Sequence, residues 1–318
     1  MLKYRKIYYI FSGFLVAVSW VLLILFGLNA GIDFTGGTLW EISLSDQNKN
    51  SVSSVSPYEI QKILLQNQDV QLTDVRVQSA ENHYIIRLRN LNEEEHQKLL
   101  VVLKSGFASE KEGEPSQINV LENRYESVGP TIGTDIAKKA WWQILLVSVA
   151  IVLYIAYAFR KVGKVRKESA TSWKLGVVAL IALVHDVSIT AGVFALLGRL
   201  LHVEIDSSFV AAILLVLGYS VNDTIVVFDR LRENMIRNKF SHDFASIVNM
   251  SVRDTMVRSL NTSSTTLIVL FSLLFFGGAS TFYFILALTI GIGVGTYSSI
   301  FLATPLFYEW EKKSYRAY

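Results

Sequence analysis

The stretch Ser207–Arg230, SSFVAAILLVLGYSVNDTIVVFDR, limits the possible folds more than any other part of the chain. From Phe209 to Phe228 it is long and apolar enough to cross a bilayer core as a helix. Ser220, Asn222, Asp223 and Thr224 nevertheless sit inside it. A carboxylate at the centre of a membrane helix costs about 2.5–3.5 kcal/mol on insertion scales, so something must offset it. Asp223 is therefore expected to face a bundle interior or a water-filled path. Two roles fit: a proton or ion site, or a buried polar anchor that fixes helix packing.

Five further apolar runs accompany it, at about Ile7–Leu28, Ala140–Phe159, Trp173–Leu197, Leu260–Phe276 and Phe282–Phe307. The first is longer than the apolar core of a signal peptide and has no convincing A-x-A site, so it reads as an uncleaved span. Hydrophobic residues make up 51% of the chain and charged ones 18%, as six spans require. The net charge of +3 and the lack of a basic stripe interleaved with aromatics exclude a nucleic-acid partner. There is no cysteine, which excludes disulfides and thiol catalysis.

The basic residues orient the spans. Lys3, Arg5 and Lys6 precede the first. Arg160, Lys161, Lys164, Arg166, Lys167 and Lys174 lie between or beside the second and third. Arg230, Arg232, Arg237, Lys239, Arg253 and Arg258 lie between the fourth and fifth, and Lys312, Lys313 and Arg316 follow the sixth. All fall on one side, which puts both termini in the cytoplasm.

The polar interval of about 29–139 is then external, between a first part at 1–28 and a membrane part at 140–318. Thr38–Leu44 alternates like a strand, and Pro57–Gln68 reads as a helix. Asp74–Gln78 and Tyr84–Arg89 read as a hairpin around a Glu81–Asn82 turn. Asn92 is placed to cap a helix whose first turn holds Glu93, Glu94 and Glu95, with Leu99, Leu100 and Leu103 on its buried side. Ile118–Val128 supplies a last strand. The order β-α-β-β-α-β is that of a ferredoxin-like α+β unit. Ser45–Ser56 and Lys104–Gln117 are expected to be loops. The fold class is thus an α-helical membrane protein with six transmembrane helices and an α+β domain between the first two.

Arg258, Asn261, Thr262 and Thr265 recur at helical spacing and share one face of the fifth span. Arg258 is either the partner of Asp223 or an anchor at the membrane interface. His185 and Asp186 lie in the third span. Adjacent helical residues point in different directions, so they are not expected to form one paired site. His185 is either a proton relay or a hydrogen-bonded bundle histidine. His83, His96, His202 and His242 are scattered and form no metal-ligand pattern, so neither metal nor cofactor is expected. Gly291 and Gly295 fit close helix packing better than a phosphate loop. The connector Asp229–Arg258 has an apolar face of Phe244, Ile247, Val248 and Val252, suited to the membrane surface or to a partner.

Several motifs occur in a fixed order. Gly31–Gly37 reads GIDFTGG after the first span, and Val128–Gly133 reads VGPTIG before the second. His185–Asp186, GYSVNDTIVVFDR and RSLNTSSTT (Arg258–Thr266) follow. This set resembles the SecF family, the smaller subunits of the SecD–SecF accessory of the bacterial Sec translocase, over nearly the whole chain. The resemblance implies membership in the resistance–nodulation–division class of proton-driven transporters and a place in the bacterial cytoplasmic membrane. It implies proton conduction through Asp223 and Arg258, with Asp186, His185, Asn222, Thr262 and Thr265 in support. It singles out Gly31, Asp33, Gly36, Gly37, Gly129 and Pro130 as motif residues. The implied partners are SecD, the SecYEG translocon, the unfolded exported polypeptide and the lipid bilayer.

Three rival readings remain. An intramembrane aspartyl protease would use Asp186 and Asp223, but Tyr219 is followed by Ser220 and the glycines at Gly291–Gly295 end in Thr296. A scaffold would hold translocon subunits without conducting protons. Half of an efflux transporter would need a larger external domain. The topology is testable because the chain has no native cysteine. A cysteine placed at Ser54 is expected to label from outside intact cells, and labelling only after access to the cytoplasm would refute the orientation.

Overall fold

The computed structural model describes residues 1–45, 55–67, 69–72, 74–80, 83–108, 118–160, 170–237 and 243–316. The chain divides into two compact units, Met1–Asn29 with Ala140–Tyr318, and Ala30–Lys139. The expected turn at Glu81–Asn82, most of the Ser45–Ser56 loop and most of the connector after Arg160 lie outside the described residues.

The first unit is helical. Its elements are α1 (Arg5–Phe26), the part of α5 (Pro130–Ala158) beyond Lys139, α6 (Ala170–Leu201), α7 (Ser207–Arg237), α8 (Phe244–Phe276), α9 (Phe282–Ser298) and α10 (Thr304–Arg316). Between α9 and α10 a π-helical turn, Ser299–Ala303, keeps the chain helical. Among the described residues six helices are long and apolar enough to cross a membrane: Leu2–Phe26, Pro130–Ala158, Trp173–Leu201, Ser207–Arg237, Phe244–Phe276 and Phe282–Lys312. The helices overrun the apolar runs of the sequence. Pro130 starts α5 early, because proline suits the first helical position. The connector before the fifth span is not separate from it, since α8 runs unbroken from Phe244. Its apolar residues Phe244, Ile247 and Val248 bury in the chain's own core with Phe159, Phe228 and Phe307. Neither the membrane surface nor a partner is needed to cover them.

Helices α6, α7 and α9 are the buried helices, and α1 and α5 show most of their apolar side chains outward. Gly291 and Gly295 sit where α9 crosses α7. A Cβ on Gly295 would stand 2.8 Å from Cβ of Ser220, and one on Gly291 would overlap Val216. Small residues here let two backbones approach, which is how helices gain packing without a hydrophobic drive in lipid.

The second unit holds the chain's one sheet among the described residues. Strands β1 (Gly37–Ser45), β2 (Arg76–Ala80), β3 (His83–Leu88) and β4 (Asn119–Val128) pair antiparallel in the order β2-β3-β1-β4. Alternation along the strands turns Trp40, Ile42, Leu44, Tyr84, Ile86 and Leu88 to one face. Against them pack Ile60 and Leu64 of α3 (Pro57–Leu65) and Leu99 and Leu103 of α4 (Glu93–Ala108). Asn92 and Glu95 cap α4 reciprocally. Glu95 N–H donates to Asn92 Oδ1 at 2.8 Å, and Asn92 N–H to Glu95 Oε2 at 3.1 Å. The Arg89 guanidinium, donating to the same carboxyl, holds Glu95 below the usual carboxylate range. Helix α4 runs five residues into the expected Lys104–Gln117 loop, because Phe107 continues its buried side from Leu99 and Leu103.

A single helical turn, α2 (Ile32–Thr35), leads into β1. Gly36 follows it at φ 74°, in the left-handed region that glycine reaches without strain. A Cβ there would lie 2.6 Å from Pro130 Cα, and one on Gly133 would lie 2.8 Å from Gly36 N. The GIDFTGG and VGPTIG segments thus cross backbone against backbone, which is the physical content of their glycines.

Candidate functional site

Around α9, buried polar side chains form two clusters, one on either side of that helix. Thr296 and Ser298 stand about 200° apart around that helix, so they face different neighbours. Ser298 faces α6 and Thr296 faces α8.

The first cluster centres on Asp186, which is fully buried. Its Oδ2 accepts from Ser220 Oγ at 2.6 Å and Ser298 Oγ at 2.9 Å. Its Oδ1 lies 2.9 Å from His185 Nδ1. One carboxylate therefore joins α6, α7 and α9. Contrary to expectation, the two neighbours in sequence do form a pair, because Nδ1 of the imidazole lies within hydrogen-bond reach of the adjacent carboxylate. A buried carboxylate with several donors is the arrangement that offsets its desolvation. The hydroxyls extend the set. Thr224 Oγ1 is 2.8 Å from Ser299 Oγ, and Ser299 donates to the carbonyls of Gly295 at 2.9 Å and Ser220 at 3.2 Å. Ser299 opens the π-helical turn, which shifts the register of α9 at this point.

The second cluster lies between α7, α8 and α9. Asp223 is 5% exposed, and its Oδ2 has no hydrogen-bond partner. Ser259 of α8 stands beside it, and the Ser259 Oγ is likewise buried and unpartnered. One turn further along α8, Ser263 accepts from Thr296 at 2.7 Å and from Tyr219 at 3.5 Å, and Tyr219 also reaches Thr266 at 3.3 Å. The acid in the first cluster is tied by three donors, whereas this one has an oxygen left over.

The expected partner of Asp223 is elsewhere. Arg258, Asn261, Thr262 and Thr265 do share a face of α8, but that face is exposed. Thr262 and Thr265 bond their own helix, to the carbonyls of Arg258 at 2.9 Å and Thr262 at 2.8 Å. Among the described residues no ion pair joins Asp223 to Arg258. The face that meets the bundle is Ser251, Thr255, Ser259 and Ser263, one residue or about 100° further round. The hydroxyls at every fourth position were the available signal, and the arginine drew the reading to the neighbouring stripe. Asn222 is exposed beside the buried Asp223. Ser298 and Ser299 gave no sequence signal, since each is an ordinary small residue until three helices meet on it, whereas Ser220 stood out as one of the polar residues inside the fourth span. Among the described residues no cluster of three or more His, Cys, Asp or Glu side chains is placed to hold a metal.

Comparison with known proteins follows the same lines. The family described as protein export membrane protein SecD/SecF, C-terminal, matches residues 108–313. The protein translocase subunit SecF of Thermobaculum terrenum is 40% identical over 99% of this chain and 95% of its own length. That of Haemophilus influenzae is 36% identical over 97% and 85% respectively. The crystal structure of SecDF from Thermus thermophilus superposes with a TM-score of 0.77 at 29% identity. It covers 98% of this chain, which spans 38% of that longer one.

The placement of Asp223 against Ser259 is testable by disulfide trapping in variants that lack the carboxylate and so hold the uncharged arrangement. The double variant Asp223→Cys with Ser259→Cys is expected to cross-link readily within the chain. Asp223→Cys with Arg258→Cys is expected to cross-link much more slowly, and the reverse pattern would contradict the site geometry.

Proposed function

Because the chain belongs to the SecF family of protein translocase subunits, we propose that it is a proton-driven subunit that promotes protein export across the bacterial cytoplasmic membrane. The observation that carries this reading is the unpartnered Oδ2 of Asp223, buried in a helix long and apolar enough to span a bilayer. An ionised carboxylate in that position is poorly compensated, and a proton removes the charge.

In this reading Asp223 and α8 form a two-state contact. With Asp223 protonated, the neutral carboxyl faces Ser259. With Asp223 ionised, a rotation of α8 by about 100° brings Arg258, one residue earlier, to face it. Arginine stays charged throughout, so the switch is set by the aspartate alone. Alternation between two packings of rigid helices is a known source of large movements. Each elementary charge crossing the membrane supplies about 2.3 kcal/mol per 100 mV.

The exposed stripe Arg258, Asn261, Thr262 and Thr265 is polar within a span, so it calls for cover other than lipid. A SecD subunit is the partner proposed for it, and the name SecDF of the similar crystal structure supports that choice. The SecYEG translocon and the emerging unfolded polypeptide are the further partners proposed. Both termini are assigned to the cytoplasm from the basic loops. The segment of about 29–139 is assigned to the outside. The sheet order β2-β3-β1-β4, with helices after β1 and β3, supports a ferredoxin-like fold for it.

Asp223→Asn keeps the shape but cannot release a proton. It is expected to abolish the proton-driven part of export in membrane vesicles while the protein accumulates normally. Arg258→Lys, which keeps charge but loses the planar fork, is expected to impair it. Asp46→Asn is expected to have no effect. Normal proton-dependent export by Asp223→Asn would overturn the mechanism and favour a scaffold.

A further inference from the structure

His185 is 4% exposed, and its Nε2 is buried with no hydrogen-bond partner. Its other ring nitrogen is committed to Asp186 Oδ1 at 2.9 Å. Oδ2 already accepts the Ser220 hydroxyl at 2.6 Å and the Ser298 hydroxyl at 2.9 Å, and with the carboxylate ionised Oδ1 is an acceptor as well. The imidazole proton then belongs on Nδ1, and Nε2 carries a lone pair. As long as it does, the cluster holds one net negative charge inside the bundle, held by hydrogen bonds but balanced by no cation. A buried lone charge is costly, and a cation one hydrogen bond away would balance it.

We propose that Nε2 of His185 is a second proton-binding atom of the bundle, on the α1–α6–α9 side and separate from Asp223. The step is a simple transfer. A hydronium ion gives its proton to the Nε2 lone pair and leaves as water, and the imidazolium formed is balanced by the carboxylate of Asp186. The groups that face the ring are few. Its own helix gives Asp186, and α7 gives Ser220 through that carboxylate. Helix α9 gives Tyr297, whose ring stacks on the imidazole with centroids 6.3 Å apart. Helix α1 gives Ser12, which donates to Tyr297 Oη at 3.2 Å, and Tyr297 donates in turn to the Tyr8 carbonyl at 3.4 Å. Among the described residues no charged group other than Asp186 is paired with His185. Ser12 of α1 and Tyr297 of α9 thus lie on this side of the ring, whereas the Asp223 cluster lies towards α8.

The test is magnetic resonance of the full chain, with 15N-labelled histidine, in lipid vesicles. His185→Gln identifies the signal by its loss. Nδ1 is expected to carry a proton at every pH, and the population with bare Nε2 to fall by about tenfold or more between pH 9 and pH 5. His185→Gln is expected to take up one proton fewer per chain in that interval. Asp223→Asn is expected to leave the His185 signal unchanged, which separates this site from the export mechanism. A neutral ring protonated on Nε2, or an Nε2 that stays bare in acid, would overturn the proposal. So would a His185 transition that disappears in Asp223→Asn.

Discussion

A carboxylate surrounded by helices in an apolar bundle must be given donors or be given a proton, and the helical unit buries one aspartate with its donors in place, Asp186, and one with an oxygen left over, Asp223. Asp186 takes donors from its own helix and from two others, so α6, α7 and α9 cannot separate without leaving it bare. Losing one partner of such a group typically costs about 1–3 kcal/mol, and more where a charge is left. The close crossing at Gly291 and Gly295 serves this requirement, since bulkier residues would push Ser220 away from the carboxylate. The buried helices thus share one polar hub in addition to their apolar packing.

Asp223 is the complementary case. It sits one turn beyond Ser220 on α7, yet faces a different helix and keeps one oxygen unmatched. Its neighbour Ser259 is also unmatched, and Arg258 stands next to that serine on the outward side. A helix with a hydroxyl on one face and a guanidinium on the next offers an acid two alternatives, one suited to each charge state. The tied acid builds a rigid frame, and the loose acid lies beside the helix that has two faces to offer.

Much of the helical architecture was legible because bilayer thickness sets a length that apolar runs reveal directly. The strands and helices of Ala30–Lys139 were legible through alternation, and through Asn92, whose capping geometry with Glu95 needs only local sequence. Element ends were less legible. Pro130 and Phe107 extend their helices for reasons of capping and burial that lie outside the hydrophobic runs. At the site, the buried acids announced themselves, since charge inside a span is rare. Which face of α8 meets Asp223 did not. Arg258 and Ser259 are adjacent, and only the packing of α8 on α7 and α9 decides between faces about 100° apart. The pairing of His185 with Asp186 was missed because helical direction governs Cβ positions, while a ring nitrogen reaches further.

The central claim is that Asp223, and not Asp186, is the carboxyl group that gains and loses a proton within the membrane. Infrared difference spectroscopy of the chain in lipid vesicles, taken between alkaline and acid buffer, tests it directly. A protonated-carboxyl band should appear in acid, vanish in Asp223→Asn and persist in Asp186→Asn. A band that survives Asp223→Asn and is lost in Asp186→Asn would contradict the account.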